Sequence, residues 1–429
     1  MQSEALRLYS EAEARREASR CLGCGDPTCM DGCPAKVDIR EFIHEIATGN
    51  LTRSARLLME KNPFYWSCAY ICPVEKQCEI KCHYAEINYP VTIARLQQYV
   101  ANRDWEEGIF RPSFAEPTGA KAAIIGGGPA GMTCAWQLAR RGIQSVLYER
   151  RKELGGMLGW AIPGYRLPDE IRNREIDRLR CPMIEVRQGE AAPPAVSLLE
   201  RGFDAVFVAP GLQASARVNL PGEEFALFAL DVMDMAHRGI LDMQGKRVLV
   251  VGGGSVAMDV CGTALRAGAE KVELICPEAP REMPAARREL DDAWEKGTIF
   301  HTRLLPIEIV VEDGRVEGLR AVGIEWIEEG RFVPSNARVL PGTERFLPGT
   351  VVVEAIGQRP GDDCGELLTG LEHNGGLVAV DQETMSTSVP GVFAGGDVVN
   401  GGSTVAAAVD HGNRAAEAIA ARAKRLAIM

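Results

Sequence analysis

The 429-residue sequence carries 48 Lys and Arg against 59 Asp and Glu, a formal net charge of −11. So acidic a balance argues against nucleic-acid binding, which shows a basic face. No apolar run approaches the ~20 residues that cross a bilayer. The opening stretch MQSEALRLYSEAEARREASRC holds no apolar signal core, so the protein is expected to be soluble and cytoplasmic. The length suits about three domains, and 45 glycines with 46% hydrophobic residues fit an α/β architecture with many tight strand–helix turns.

Residues Ser3 to Arg20 read as a charged, exposed helix. A first cysteine set follows, Cys21-x2-Cys24-x4-Cys29-x3-Cys33-Pro34. Ile39, Phe42, Ile43 and Ile46 then repeat at helical spacing. Asn50 is placed to cap a second short helix carrying Leu51, Ala55, Leu58 and Met59. A second cysteine set comes next, Cys68-x3-Cys72-Pro73-x4-Cys78-x3-Cys82, and a helix over about Val91 to Asn102 closes the region. Eight of the 13 cysteines lie between Cys21 and Cys82. A secreted disulfide scaffold would be short and carry a signal peptide, so the clustering points to metal. Closely spaced thiolates with Cys-Pro closing a run suit iron–sulfur clusters. Paired zinc knuckles and plain buried cysteines are the rival readings, and only Cys21/Cys24 has knuckle spacing.

After a Pro- and Gly-containing linker from Gly108 to Gly119, the apolar run AAII enters Gly126-Gly127-Gly128-Pro129-Ala130-Gly131. Gly126, Gly128 and Gly131 hold the spacing of a strand–turn–helix dinucleotide site, and a second strand ends at Glu149, where a carboxylate meets a ribose. Leu154-Gly155-Gly156-Met157 gives another close backbone approach. IPGYRLP, from Ile162 to Pro168, shows no clear regular structure, and DAVFVAPG ends a strand at Gly211. A second fingerprint starts at Lys246, where RVLVV leads to Gly252-Gly253-Gly254-Ser255-Val256-Ala257-Met258-Asp259 and a helix, with KVELI after it. Ala257 replaces the third glycine, which the fingerprint allows. Two such loops imply two dinucleotides that react with each other. Strand-like runs follow at Ile307–Val311 and Leu319–Trp326; VVVEAIG is expected to return the chain to the first domain, and VFAGGD turns on two glycines into Asp397. The last helix starts near Thr404 and ends in Lys424 and Arg425, which suit its C-terminal dipole.

CLGCGDPTCMDGCP, the second cysteine set, GGGPAGM, GGMLGWAIPGYRLP, VVGGGSVAMD, AIGQRP and VFAGGDVVNGGST together resemble one family. It is the NAD(P)H-linked FAD/iron–sulfur reductase group containing the glutamate synthase small subunit, the N-terminal half of dihydropyrimidine dehydrogenase and the large subunit of bifurcating NADH-dependent ferredoxin:NADP reductase. The resemblance implies an α/β fold of two Rossmann-like dinucleotide-binding domains, an FAD domain with an inserted NAD(P) domain, behind a small α-helical domain with two [4Fe–4S] clusters. The expected boundaries are 1–112 for the cluster domain, 119–235 and 349–429 for the FAD domain and 236–348 for the NAD(P) domain. The motifs make Gly126, Gly128, Pro129, Ala130, Gly131, Glu149, Arg150, Gly156, Met157, Arg166, Gly211, Gly357, Gly396, Asp397, Ser403 and Thr404 cofactor contacts, with Gly253, Gly254, Ser255, Val256, Ala257 and Asp259 on the second loop. In the family the first loop binds FAD, the second binds the nicotinamide cofactor, and the late acid, here Asp397, bonds the middle of the FAD. One cluster takes the residues matching Cys21, Cys24, Cys29 and Cys82, and the other those matching Cys33, Cys72 and Cys78 with Gln97, one residue from Gln98, as fourth ligand. Cys68 is then a packed thiol.

The implied function is electron transfer from NAD(P)H through FAD to the clusters, with no side-chain nucleophile and no catalytic residue assigned. The partner would be a ferredoxin or a larger redox subunit, such as a 2-oxoacid:ferredoxin oxidoreductase, a formate dehydrogenase or a glutamate synthase large subunit. Two other readings are weighed. A disulfide reductase needs a redox cysteine pair beside the flavin, and MLGWAIP after Gly156 holds none, while Cys134, Cys181, Cys261, Cys276 and Cys364 read as core cysteines. A non-catalytic scaffold subunit would keep its flavin oxidised under either nicotinamide. Where NADPH-using members carry Tyr-Arg-Arg, this chain has Cys276-Pro277-Glu278, which favours NADH, although Arg281, Arg287 and Arg288 follow closely.

Overall fold

A computed structural model describes residues 7–362 and 364–426. The chain divides into two compact units, Met1–Gly159 with Gly164–Leu212 and Pro360–Met429, and Trp160–Pro163 with Gln213–Arg359.

The first unit opens with helices whose ends the sequence signals locally. Ser10 and Glu13 form a reciprocal capping box at the start of α1 (Glu11–Ala18). This helix is shorter than the expected Ser3–Arg20, of which residues 3–6 lie outside the described residues. Asp38 caps α2 (Ile39–Thr48) by accepting from the Glu41 N–H, the apolar stripe Ile39, Phe42, Ile43 and Ile46 is buried, and Gly49 at φ +88° ends the helix. Asn50 caps α3 (Leu51–Lys61) as expected, accepting from the Arg53 N–H. Two further helices follow, α4 (Tyr65–Ile71), which carries Cys68 and is capped at Cys72, and α5 (Ile93–Glu107), which comes after Cys82. The latter runs past the expected Asn102 to Gly108, which adopts φ +60°.

The same unit then builds β1 (Lys121–Ile125), α6 (Pro129–Arg140), β2 (Gln144–Glu149), α7 (Asp169–Arg178), β3 (Ile184–Gln188) and β4 (Ala205–Val208). The second unit holds β5 (Leu227–Phe228), β6 (Arg247–Val251), α8 (Ser255–Arg266), β7 (Lys271–Ile275), α9 (Arg287–Glu295) and β8 (Ile299–His301). It continues with β9 (Leu304–Glu312), β10 (Arg315–Trp326), β11 (Ala337–Val339), β12 (Arg345–Pro348) and β13 (Val351–Glu354). The chain ends in the first unit with β14 (Val392–Ala394) and α10 (Val405–Leu426).

One parallel sheet runs β14-β4-β1-β2-β3 in the first unit, and a second runs β5-β13-β6-β7-β8 in the other, with β9 to β12 forming a small antiparallel sheet beside it. Strands of parallel sheets are buried on both faces and therefore read as unbroken apolar runs. Residues 122–125, 205–208 and 248–251 are buried throughout.

One expectation is corrected. Val351–Glu354 does not return the chain to the first domain: it pairs in parallel with β6 and β5 in the second sheet, in the register Val351↔Val248 to Glu354↔Val251. Apart from the short excursion Trp160–Pro163, the crossings between units fall at Leu212/Gln213 and Arg359/Pro360 rather than at 235/236 and 348/349. An apolar run fits the middle of either parallel sheet, and what selects the second is the cluster of Leu249, Val251, Ile309, Leu319 and Leu347 that Val352 completes.

Candidate functional site

The two glycine loops share their geometry. Gly126 (φ +102°) lies so close to the next strand's exit that a Cβ there would stand 2.2 Å from the Ala209 carbonyl oxygen; at Gly252 (φ +137°) it would stand 2.3 Å from that of Ala355. A Cβ on Gly131 would meet the Gly126 oxygen at 1.9 Å, so only glycine lets α6 start there. Gly128 and Gly254 are the extended residues before α6 and α8, and Pro129 and Ser255 open those helices. Each loop ends under an acid. Glu149, buried, accepts from the Gly127 N–H at 2.8 Å and, through its other oxygen, from the Arg151 N–H at 2.8 Å. Glu278 brings an oxygen to 2.9 Å from a Cβ placed on Gly253, and that oxygen is buried with no hydrogen-bond partner. Burial pushes the Glu278 carboxyl up. The segment carrying Arg281, Arg287 and Arg288 folds back here, with the Ala285 N–H donating to the Gly253 carbonyl at 3.3 Å. Arg287 is drawn off by Asp291 at 2.9 Å, while Arg281 and Arg288 are exposed.

In the first unit the Gly155–Gly156 turn closes on the first loop. The Gly155 N–H donates to the Gly127 carbonyl at 2.8 Å, and a Cβ on Gly156 would lie 2.9 Å from the Gly128 Cα. Met157 and Arg166 are both half-buried, and Arg150 is exposed at the end of β2. Gly211 (φ +72°) follows β4, and β14 delivers Gly396 (φ +73°) and Asp397. Burial raises the Asp397 carboxyl, which accepts from the Ser403 N–H at 3.3 Å. The Gly396 N–H donates to Nδ1 of buried His411 at 3.0 Å, a bond that sequence reasoning missed. Thr404 caps α10 by accepting from the Ala407 N–H at 3.3 Å. Gly357, placed with the first cofactor by motif, lies in the second unit, where its carbonyl takes the Ala216 N–H. Val256, Ala257 and Asp259 occupy the first turns of α8. A cradle of glycines that a Cβ would fill, before a helix N-terminus and beside an acid, fits a dinucleotide at each loop.

The cysteine loops interleave. Thr28 donates to the Lys81 carbonyl at 2.6 Å, drawing Cys29 to Cys82, and Gly32 lies against the Gln77–Cys78 backbone so closely that a Cβ would stand 2.4 Å from the Gln77 oxygen. Cys21, Cys24, Cys29 and Cys82 thereby line one half-exposed cavity with Leu22, Arg40 and His83. The Cys29 thiol is pushed up to about 12, by burial first and then by Cys82, Cys21 and Cys24. Cys72 and Cys78 are buried, and Cys33 is half-buried. Cys78 is raised by burial first, then by Glu79 and Cys33. Buried Cys68 accepts from the Asn62 side-chain amide at 3.3 Å. Gln97 and Gln98 each donate an amide N–H to α4, at the Tyr65 and Ala69 carbonyls (2.9 and 3.0 Å). Among the described residues no three Cys, His, Asp or Glu side chains close on one point as ligands of a single ion would. Four crowded thiols around a cavity instead suit a cluster, each iron taking one thiolate.

Two parallel sheets with matched glycine loops, and a helical segment with interleaved cysteines, define a two-dinucleotide oxidoreductase with an iron–sulfur module. Residues 2–109 match the family described as dihydropyrimidine dehydrogenase domain II, 4Fe-4S cluster, and residues 120–412 match pyridine nucleotide-disulphide oxidoreductase. The chain belongs to this iron–sulfur flavoprotein oxidoreductase family, and its cofactors are [4Fe–4S] clusters, FAD and a nicotinamide dinucleotide. It is 32% identical over 433 residues to the glutamate synthase [NADPH] small chain of Escherichia coli, covering 96% of this chain and 92% of that one. It is 36% identical over 421 residues to the NADP(+)-dependent formate dehydrogenase subunit beta of Moorella thermoacetica, covering 91% of this chain but only 59% of that subunit. The fold is similar to that of Mycobacterium tuberculosis FprA in complex with NADPH, with TM-score 0.60 and 17% identity over 73% of this chain and 86% of that one.

Proposed function

We propose that this chain is the nicotinamide-reactive subunit of a larger redox complex and passes electrons between NAD(P)H and two [4Fe–4S] clusters through FAD. The relatives named as small or beta subunits support the role, and a redox subunit or ferredoxin is the partner. The observation that carries the reading is the placement of the two cysteine sets. Gln77, next to Cys78, donates its side-chain amide to Thr404 at 3.3 Å, so the set of Cys33, Cys72 and Cys78 adjoins the turn that follows Asp397. Cys21, Cys24, Cys29 and Cys82 line the half-exposed cavity, where exposed Leu22 offers a contact to a partner. Bound FAD supplies the change from two-electron to one-electron transfer, and the protein orients the groups. Glu149 and Asp397 hold the FAD; Gly253, Gly254 and Ser255 seat the nicotinamide dinucleotide. Gln97 is the fourth ligand of the cluster held by Cys33, Cys72 and Cys78, its N–H committed to the Tyr65 carbonyl and its oxygen turned to iron. Among the described residues no helix is long and apolar enough to cross a membrane, and we place the protein in the cytoplasm. Anaerobic titration with a nicotinamide should bleach the flavin and then give the spectra of two reduced clusters. A flavin that neither NADH nor NADPH bleaches would leave only a scaffold role.

NADH is the preferred donor on this reading. An ionised Glu278 over Gly253 accepts a ribose hydroxyl and repels a 2′-phosphate. The expected outcome is a higher kcat/KM for NADH than for NADPH, reversed in Glu278→Arg. A higher value for NADPH in the unaltered protein would assign the 2′-phosphate to Arg281 and Arg288.

A further inference from the structure

One buried carboxyl is left without a role by electron transfer as described. Glu175, on α7, is 4% exposed and reaches into the start of α4, where it accepts from the Trp66 N–H at 2.8 Å, the Ser67 N–H at 3.1 Å and the Ser67 hydroxyl. One turn along α7, Arg178 pairs with Asp104 of α5, which also accepts from the Tyr65 hydroxyl at 3.1 Å and the Phe110 N–H at 2.6 Å. The same helix holds the flavin-side turn: Arg172, one turn before Glu175, donates to the Gly159 carbonyl at 2.9 Å, and a Cβ on Gly155 would stand 2.8 Å from the side chain of Ile176, next to Glu175. A single helix thus grips the turn that closes on the first glycine loop and the helix that carries Cys68 and ends at Cys72.

We propose that Glu175 is a positioning residue for electron transfer: its carboxylate locks α4 to α7 and, by its charge, sets the potential of the iron–sulfur group held by Cys33, Cys72 and Cys78. This rests on the ligand assignment under Proposed function. Two physical points carry it. A buried carboxylate left unpaired would cost several kcal/mol, so three donors converging on Glu175 mark a charge the fold is built to hold. A negative charge in a low-dielectric interior disfavours adding an electron nearby, and hydrogen bonds and net charge set cluster potentials. The charged and titratable groups facing Glu175 are Tyr65 and Cys68 from α4 and Arg178 from α7 itself, the last paired with Asp104 of α5. Burial pushes the carboxyl up to about 7 against the pull of Ser67, Trp66 and Arg178. Near neutral pH it would therefore be able to gain one proton for each electron that an iron–sulfur group held by Cys33, Cys72 and Cys78 would hold, keeping the local charge unchanged. Its hydrogen-bond partners Trp66 and Ser67 are not iron ligands.

Potentiometric titration of the full protein, followed by the spectra of the reduced clusters over about pH 5.5 to 9, tests this. The unaltered protein should show two cluster midpoints, one of which falls as pH rises. Glu175→Gln should keep iron and flavin, move that midpoint upward, flatten its pH dependence and leave the other midpoint in place. Ser67→Ala, which removes one donor but keeps the carboxyl, should move the pH dependence to higher pH. Both midpoints and their slopes unchanged in Glu175→Gln would overturn the proposal. If Glu175→Gln binds no iron, an unchanged pH profile in Ser67→Ala overturns it instead. An unaltered protein with fewer than two clusters would sink the ligand assignment before any variant is compared.

Discussion

Cys68 shows how one residue decides a ligand count. Two cysteine loops supply eight thiols, and eight fill two all-cysteine clusters. Yet Cys68 is 4% exposed and its sulfur takes the Asn62 amide at 3.3 Å. Cys68→Ala should therefore keep about eight irons per chain, four for each cluster; loss of half the iron would return Cys68 to the ligands. Asp397 offers a second residue-scale test. Its carboxylate positions the Ser403 N–H and is raised by burial, so Asp397→Ala should purify with its iron but depleted in FAD, read from the flavin absorbance. Full flavin occupancy would take the role from Asp397. The glycines at these sites were legible because their spacing carries a steric demand: a Cβ at Gly131 has no room. Glu175 was not legible. In DEIRNREIDR it looks like one more charge on a solvated face, and only the burial of that face by α4 sets it apart.

Among elements, the turn between β14 and α10 depends on a histidine that must stay neutral. The Gly396 N–H donates to Nδ1 of His411, so the ring carries its proton on the other nitrogen and a second proton would break the bond. Burial, then Arg414, lowers the His411 pKa. A histidine depressed in the folded state contributes stability that is present above its unfolded value of about 6.5 and is lost as pH falls through that value toward the folded one. FAD release should thus accelerate below about pH 6.5 in the unaltered protein and lose this acid limb in His411→Asn, measured by free-flavin fluorescence. An identical acid limb in both proteins would clear His411. The helix caps at Asp38 and Asn50 were readable from single residues, because a side-chain oxygen beside free N–H groups needs no tertiary partner. The sheet that takes Val351–Glu354 was not, since an apolar run fits any parallel core and the choice rests on Leu249, Ile309 and Leu319, distant in sequence.

At the scale of the molecule, the two units have separate cores. One gathers around Ile125, Val206 and Val392, the other around Val251, Ile309 and Leu319. Calorimetry should resolve two unfolding transitions, with added NADH raising only that of the Gln213–Arg359 unit, since a ligand stabilises what it binds. One transition with equal calorimetric and van't Hoff enthalpies would show the units melting together. The interleaved cysteine loops also mean that neither loop keeps its shape without the other, so stripping iron should melt the N-terminal helices as a set.

The strand order β14-β4-β1-β2-β3 also has a consequence for how the protein is made. The edge strand next to β4 is Val392–Ala394, near the end of the chain, whereas the last clustered cysteine is Cys82. At about 5–20 residues per second, the ribosome delivers the completing strand roughly 15–60 s after that cysteine, about 300 residues later. For most of that interval the thiols are outside the tunnel while Thr404, which takes the Gln77 amide beside Cys78, does not yet exist. The cysteine loops are therefore available to iron before the first glycine loop's sheet is complete for flavin, and a cell short of iron would accumulate full-length chains whose first helices had missed their metal.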